Sequence, residues 1–117
     1  ASHLLKIDSY GDKGFSVNGA MHLQSILLFP ERLVDWTAHD VSAWTTDDFH
    51  EVFVNIPPVE VLLLGTGKKH QFVPPEFKKA LKVKGISADS MDTGAAARTY
   101  NILLSEGRRV AALLMAI

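Results

Sequence analysis

The sequence predicts a single α/β domain over residues 1–117 with an N-terminal β-hairpin, and three observations carry that prediction. In Val59–Gly67 five of the first six residues are apolar, Val61–Leu64 continuously so, and the stretch ends in Gly65-Thr66-Gly67, the pattern of a strand covered on both faces. Next come a proline-led amphipathic stretch and a second strand pattern, so Val59–Met91 reads as a strand–helix–strand unit with parallel strands and a right-handed crossover. Near the N-terminus, Asn18-Gly19 stands between two short strand patterns, and both residues tolerate the positive φ of a type I′ hairpin turn.

Taken in order, Leu4–Tyr10 alternates apolar and polar residues and reads as a strand with one wet face. A turn at Gly11–Gly14 leads to the short strand Phe15–Val17. His22–Phe29 is expected to return as one strand that becomes fully apolar from Ile26, leaving the hairpin and entering the buried sheet. Pro30 ends it. Leu33–Trp36 is a weaker strand pattern, and Thr37–Trp44 an irregular connection. Thr45 or Thr46 is placed to cap a helix that carries Asp47 and Asp48 in its first turn, where acids suit the helix dipole. Phe49, Val52 and Phe53 would share its buried face. Pro57-Pro58 resets the chain before the central strand.

Lys68–Val73 reads as a loop or short strand. Pro74-Pro75 can open a helix because proline is tolerated in the first turn; Phe77 and Leu81 would face inward, Lys78, Lys79 and Lys82 outward. Gly85 is placed to stop it. Ile86–Met91 is the next strand. Asp92-Thr93-Gly94 then turns the chain into its longest helix, expected over Ala95–Glu106 with Ala96, Tyr100, Leu103 and Leu104 as the apolar stripe. Gly107 stops that helix and Arg109–Ile117 forms the last strand.

Composition bounds the function. Hydrophobic residues make up 47% and charged residues 21%, as in an ordinary globular domain. There is no cysteine, which excludes disulfides, thiolate metal sites, iron–sulfur clusters and cysteine nucleophiles. No apolar segment approaches the roughly 18–20 residues that span a bilayer, and no signal peptide or mitochondrial presequence is visible, so the expected location is the cytoplasm. The net charge is −1 but uneven: residues 1–67 balance at −6, 68–85 at +5 and 86–117 at zero. The basic block could meet an acidic partner or simply be a solvated lysine face. Without aromatic interleaving or an overall basic charge, nucleic acid is not an expected partner.

Two polar stretches invite a site. Gly65-Thr66-Gly67 lacks the third glycine of a dinucleotide fingerprint, since His70 stands there, and it lacks the Gly-Lys-Ser/Thr of a phosphate loop. Asp92–Asn101 begins at the end of the neighbouring parallel strand, and ligands of open α/β sheets bind at such ends. The candidate cleft is therefore Thr66, Gly67, Lys68, Asp92, Thr93, Arg98 and Asn101, with the amides of Gly94, Ala95 and Ala96 available to an anion. Asp92 would oppose an anion. The competing structural reading has Thr93 capping the helix, Gly94 turning, the alanines packing close to the sheet and Tyr100 anchoring the core. His3, His22, His39, His50 and His70 show no metal-ligand spacing, and no Gly-x-Ser-x-Gly elbow occurs, so no metal, cofactor or catalytic residue is expected. Trp36, Trp44 and Phe53 read either as core or as an apolar patch for a partner.

Three ordered stretches carry a resemblance. They are Ser9-Tyr10-Gly11 with Phe15-x-Val17-Asn18-Gly19; Leu62-Leu63-Leu64-Gly65-Thr66-Gly67; and Met91-Asp92-Thr93 with Ala95-Ala96, Arg98-Thr99-Tyr100-Asn101 and Glu106–Ala112. In this order they resemble the small Mth-like family of unknown function. Its eukaryotic relatives include a mitochondrial complex I assembly factor and an adipogenesis-associated Mth-domain protein. The resemblance implies a three-layer α/β domain around a central mixed sheet whose last strand runs antiparallel to the others. It implies a bacterial, non-enzymatic interaction or assembly protein with a protein partner, peripheral to membrane complexes. It supplies no catalytic residues to carry over. A small-molecule or anion-binding protein using the cleft above is the alternative, and a weak homodimer a further one.

Overall fold

A computed structural model describes residues 4–12, 14–37 and 40–117. Residues 1–3, Lys13 in the first turn, and residues 38–39 of the irregular connection lie outside the described residues, and with them His3 and His39.

Among the described residues eight strands divide into two sheets. β1 (Ile7–Gly11), β2 (Gly14–Val17) and β3 (Ala20–His22) form a three-stranded antiparallel meander. β4 (Ile26–Leu28), β5 (Leu33–Asp35), β6 (Val61–Gly65), β7 (Ser87–Met91) and β8 (Val110–Leu114) form a mixed sheet in the order β5-β4-β8-β6-β7. The β2–β3 turn has Asn18 at φ 47° and Gly19 at φ 85°, the two positive angles a type I′ turn needs.

The expected single strand over His22–Phe29 is instead two strands in different sheets. Ser25 makes the transfer: its hydroxyl accepts the Ala116 N–H (2.8 Å) and its carbonyl the Trp36 N–H (2.9 Å), tying the crossing to both neighbours of β4. The last strand also departs from expectation. β8 lies parallel to β6 in register Val61↔Val110 through Gly65↔Leu114, and antiparallel only to β4. The helix between β7 and β8 carries the chain back along the sheet, so β8 starts again at the same end as β6 and β7. β4 is the strand that runs against its neighbour on each side.

The alternation of side chains along the strands sorts the core into two layers. Leu27, Leu62, Leu64, Ala111 and Leu113 face one way, against α2 (Pro75–Val83) and an aromatic group of Trp36, Trp44, Phe49 and Phe77. Ile26, Leu28, Leu63, Ala112 and Leu114 face the other way, against α3 (Thr93–Ser105) and the small sheet, where Phe15, Ala96, Ala97 and Tyr100 close the layer. Three layers result.

The helix expected from Thr45 is a 3₁₀ turn over Thr46–Phe49 that runs into the single turn α1 (His50–Phe53). Thr45 caps it in a reciprocal box with Asp48. Phe49 and Val52 are buried, while Phe53 is half-exposed beneath the Lys84 ammonium, 4.9 Å from its ring centre. Trp36 and Trp44 belong to the core rather than to a surface patch.

Candidate functional site

The sheet has two ends of different character. At the carboxyl ends of β6 and β7 stand the residues that the sequence singles out. Thr66 and Thr93 are fully buried. The Thr93 hydroxyl accepts the Gly67 N–H (2.8 Å) and donates to the Met115 carbonyl (2.8 Å). The Thr66 hydroxyl accepts the Gln71 N–H (2.8 Å) and lies 3.2 Å from the carbonyls of Lys69 and Met91. Backbone bonds from Thr66 N to Met91 O, Thr93 N to Gly67 O and Met115 N to Gly65 O complete a closed knot joining the ends of β6, β7 and β8. Gly65 is required by close approach: a Cβ there would stand 3.0 Å from Ala96 Cβ, Leu113 O and Thr93 Cα.

Thr93 is therefore not the cap of α3. Asp92 is, its carboxylate accepting the Ala95 N–H at 2.8 Å, and the Ala96 N–H bonds to the Asp92 carbonyl. Two of the three amides suggested for an anion are thus engaged within the chain. Arg98 is exposed and donates to the Tyr10 hydroxyl, whose ring lies against Gly94. Asn101 clamps β1 to α3, with its carbonyl accepting the Ile7 N–H (2.9 Å) and its amide donating to the Ile7 carbonyl (2.8 Å). Lys68 is exposed. The structure brings Thr66, Gly67 and Thr93 into one group, with Asp92 beside them. Arg98 and Asn101 lie along α3 and serve the hairpin sheet. Tyr100 is buried, its hydroxyl donating to the Leu5 carbonyl (2.8 Å); burial raises its pKa above the ordinary phenol range.

Another part of the surface holds what the sequence did not reveal. A groove of about 620 Å³ is lined by residues of the β4–β5 turn, the loop after α1 and the segment after α3. Arg32 organises its wall. Its guanidinium donates to Glu51 Oε1 (2.7 Å), to the Glu51 carbonyl (3.0 Å) and to Asn55 Oδ1 (2.8 Å), and stacks 4.2 Å from the Phe29 ring centre. Asn55 in turn donates to the Pro57 carbonyl (3.1 Å). Between these two anchored residues Ile56 projects into solvent, 89% exposed, with Val54 51% exposed beside it. Leu104 and Arg108 line the groove as well. Arg109 pairs with Glu60 at 3.3 Å, and that hydrogen bond and charge, with a smaller contribution from Arg108, hold the Glu60 carboxyl below its ordinary range. The signal available beforehand was an apolar residue directly before Pro57-Pro58, outside any strand or helix pattern.

Residues 7–115 match the family described as "Protein of unknown function (DUF498/DUF598)". The chain belongs to that family. It is 37% identical to an uncharacterized protein of Rhodobacter capsulatus over 95% of this chain and 84% of that one. It is 31% identical to human NADH dehydrogenase (ubiquinone) 1 alpha subcomplex assembly factor 3, over 98% of this chain. The chain spans only 62% of that relative's length. Among solved structures it matches a Bordetella pertussis protein described as a Mth938-like domain, with a TM-score of 0.83, 29% identity, and coverage of 99% of this chain and 88% of that one. The Mth-like resemblance and the three-layer α/β fold are thereby shown.

Proposed function

We propose that this protein is a non-catalytic assembly factor that holds an apolar segment of a partner protein in the groove beside Ile56. The observation that carries the reading is the presentation of Ile56. An isoleucine kept 89% exposed by hydrogen bonds on either side is an ordered apolar contact prepared before any partner arrives. The polar residues at the strand ends, by contrast, are largely occupied with one another. Assembly-factor relatives support a partner of the NADH dehydrogenase type. Among the described residues no helix is long and apolar enough to cross a membrane; on this reading the chain meets a membrane complex at its periphery. We place this work in the cytoplasm, with which a cysteine-free sequence is compatible.

The test uses a strain lacking the protein and reads the amount of assembled NADH dehydrogenase complex on native gels. Loss of the assembled complex, restored by wild type but not by Ile56→Glu, is expected. Ile56→Glu removes no buried contact, so its melting temperature should stay within about 2 °C of wild type, as for a surface change. Normal assembly without the protein, or full rescue by Ile56→Glu, would overturn the reading.

A further inference from the structure

We infer that the open edge of β7 is a docking site for an extended, acidic segment of a protein partner, which joins the main sheet as a sixth strand. This rests on the partner-binding reading above but uses a different surface from the Ile56 groove. β7 ends the sheet, pairing with β6 on one side only. The pairing fixes which backbone groups are free. Ser87 N–H bonds to the Glu60 carbonyl and the Met91 carbonyl takes the Thr66 N–H, so Ser87, Asp89 and Met91 direct their polar groups to β6. Ala88 and Ser90 therefore direct theirs outward, where an incoming strand would pair.

The charge beside this edge selects the occupant. Lys78, Lys79 and Lys82 of α2 line a hollow of about 540 Å³ together with Ser87 and Ala88 at the start of β7. None of the three lysines forms an ion pair among the described residues. They lie on the face of the sheet toward which Ala88 points, because Ala88 packs in the same core layer as Phe77 and Leu81 of α2. Asp89, one residue along, projects from the opposite face. A strand laid on this edge would present alternate side chains to the lysines and the others to the Asp89 side. Acids are thus favoured at every second position and disfavoured between. The spacing agrees: Lys78 and Lys82 are separated by four helical residues, roughly 6 Å, and alternate strand residues by roughly 6.7 Å. The open edge ends where His70 Nε2 meets Ser90 Oγ at 3.0 Å.

Two other occupants fit less well. A second copy paired edge to edge about a two-fold axis would set the same lysines against each other, a like-charge contact that opposes association. An anionic membrane would use the lysines but not the outward amides of β7.

The experiment uses a dye-labelled eight-residue peptide alternating Glu with Val or Thr, a control of the same composition with its glutamates consecutive, and vesicles of phosphatidylglycerol and phosphatidylcholine. The alternating peptide should bind the wild-type chain at least tenfold more tightly than the control. It should slow amide exchange at Ala88 and Ser90. The double variant Lys78→Glu/Lys82→Glu should lose at least tenfold in affinity, while Ile56→Glu should bind as wild type does, which separates failure here from failure of the groove reading. Equal binding of both peptides, unchanged exchange at Ala88 and Ser90, or binding to vesicles alone would overturn the proposal.

Discussion

The strand-exit knot and the Ile56 groove use opposite materials for opposite ends. At the knot, hydroxyls and amides are buried and pair with each other: Thr66 and Thr93 are fully enclosed, the Thr93 hydroxyl joins Gly67 to Met115, and the Thr66 hydroxyl lies between the Gln71 N–H and the Met91 carbonyl. At the groove, polar groups sit around the rim and brace a loop whose apolar side chains remain in water. Burying a hydroxyl is tolerable only when it is satisfied, and here its partners are the main chain itself. Leaving an isoleucine in water adds nothing to folding, and Val83, Leu23 and Phe72 are also well exposed; Ile56 differs from them in the hydrogen-bonded loop that carries it and the groove beside it. The lesson is that the polar groups at the knot tie strand ends to one another, whereas those at the groove hold a loop that leaves its apolar side chains exposed.

The sharpest way to break that contrast is Thr93→Val, which keeps the shape and deletes the hydroxyl. Gly67 N–H and Met115 carbonyl would both lose their partner in a buried setting. Each unsatisfied group costs about 1–3 kcal/mol, so a loss of about 2–4 kcal/mol is expected, with a fall in Tm of roughly 10 °C or more. Chemical denaturation should show an unchanged m-value with a lower midpoint. A loss under about 1 kcal/mol would mean that the knot is not what holds the three strand ends together, and that these side chains are free for other work.

A smaller effect is expected from Asn101→Ala. It removes two bonds to the Ile7 backbone in a half-buried position, about 1–2 kcal/mol in all. Because Asn101 ties the small sheet to α3, amide exchange should quicken first over β1 and β2 while the main sheet stays protected. Asn101→Asp should not rescue, since a carboxylate oxygen would then face the Ile7 carbonyl. Uniform loosening of both sheets would show that the meander is not anchored separately.

Much of this was legible in the residues, and the exceptions have physical causes. The buried strands, both longer helices and the type I′ turn follow from local patterns: apolar runs, 3.6-residue periodicity and a residue pair that tolerates positive φ. The direction of β8 follows from the strand–helix–strand pattern of β7, α3 and β8, although the resemblance implied the opposite; its place between β4 and β6 was not legible, because strand order depends on where a crossover lands rather than on the strand's own composition. The break at Ser25 was hidden for a similar reason, as its partners Trp36 and Ala116 are 11 and 91 residues away. The polar cluster at Asp92–Asn101 could be found but not interpreted. A threonine poised for a ligand and a threonine committed to a distant carbonyl look the same in one dimension. Ile56 was missed: its place before Pro57-Pro58 marks it as an apolar loop residue, but the hydrogen bonds that hold it outward come from Arg32, Asn55 and Glu51 and are not visible in one dimension.

The smallest test probes the polar rim itself. Arg109 holds the Glu60 carboxyl below its ordinary range through a hydrogen bond and its charge, but Glu60 is exposed, so water and salt weaken the pair. The sign follows from linkage. A carboxyl whose folded pKa is depressed stabilises the fold fully above its unfolded value, and that contribution disappears as pH falls through the folded value. Glu60→Gln should therefore be slightly less stable than wild type at pH 7, with the gap closing on acidification and shrinking in high salt. Direct NMR titration of the Glu60 carboxyl should give a lowered pKa that returns toward the ordinary carboxylate range in Arg109→Ala. A gap that persisted below the folded pKa would locate the role of Glu60 in neutral hydrogen bonding rather than charge. The rim would then resemble the knot, and the contrast between the two ends would rest on Ile56 and Val54 alone.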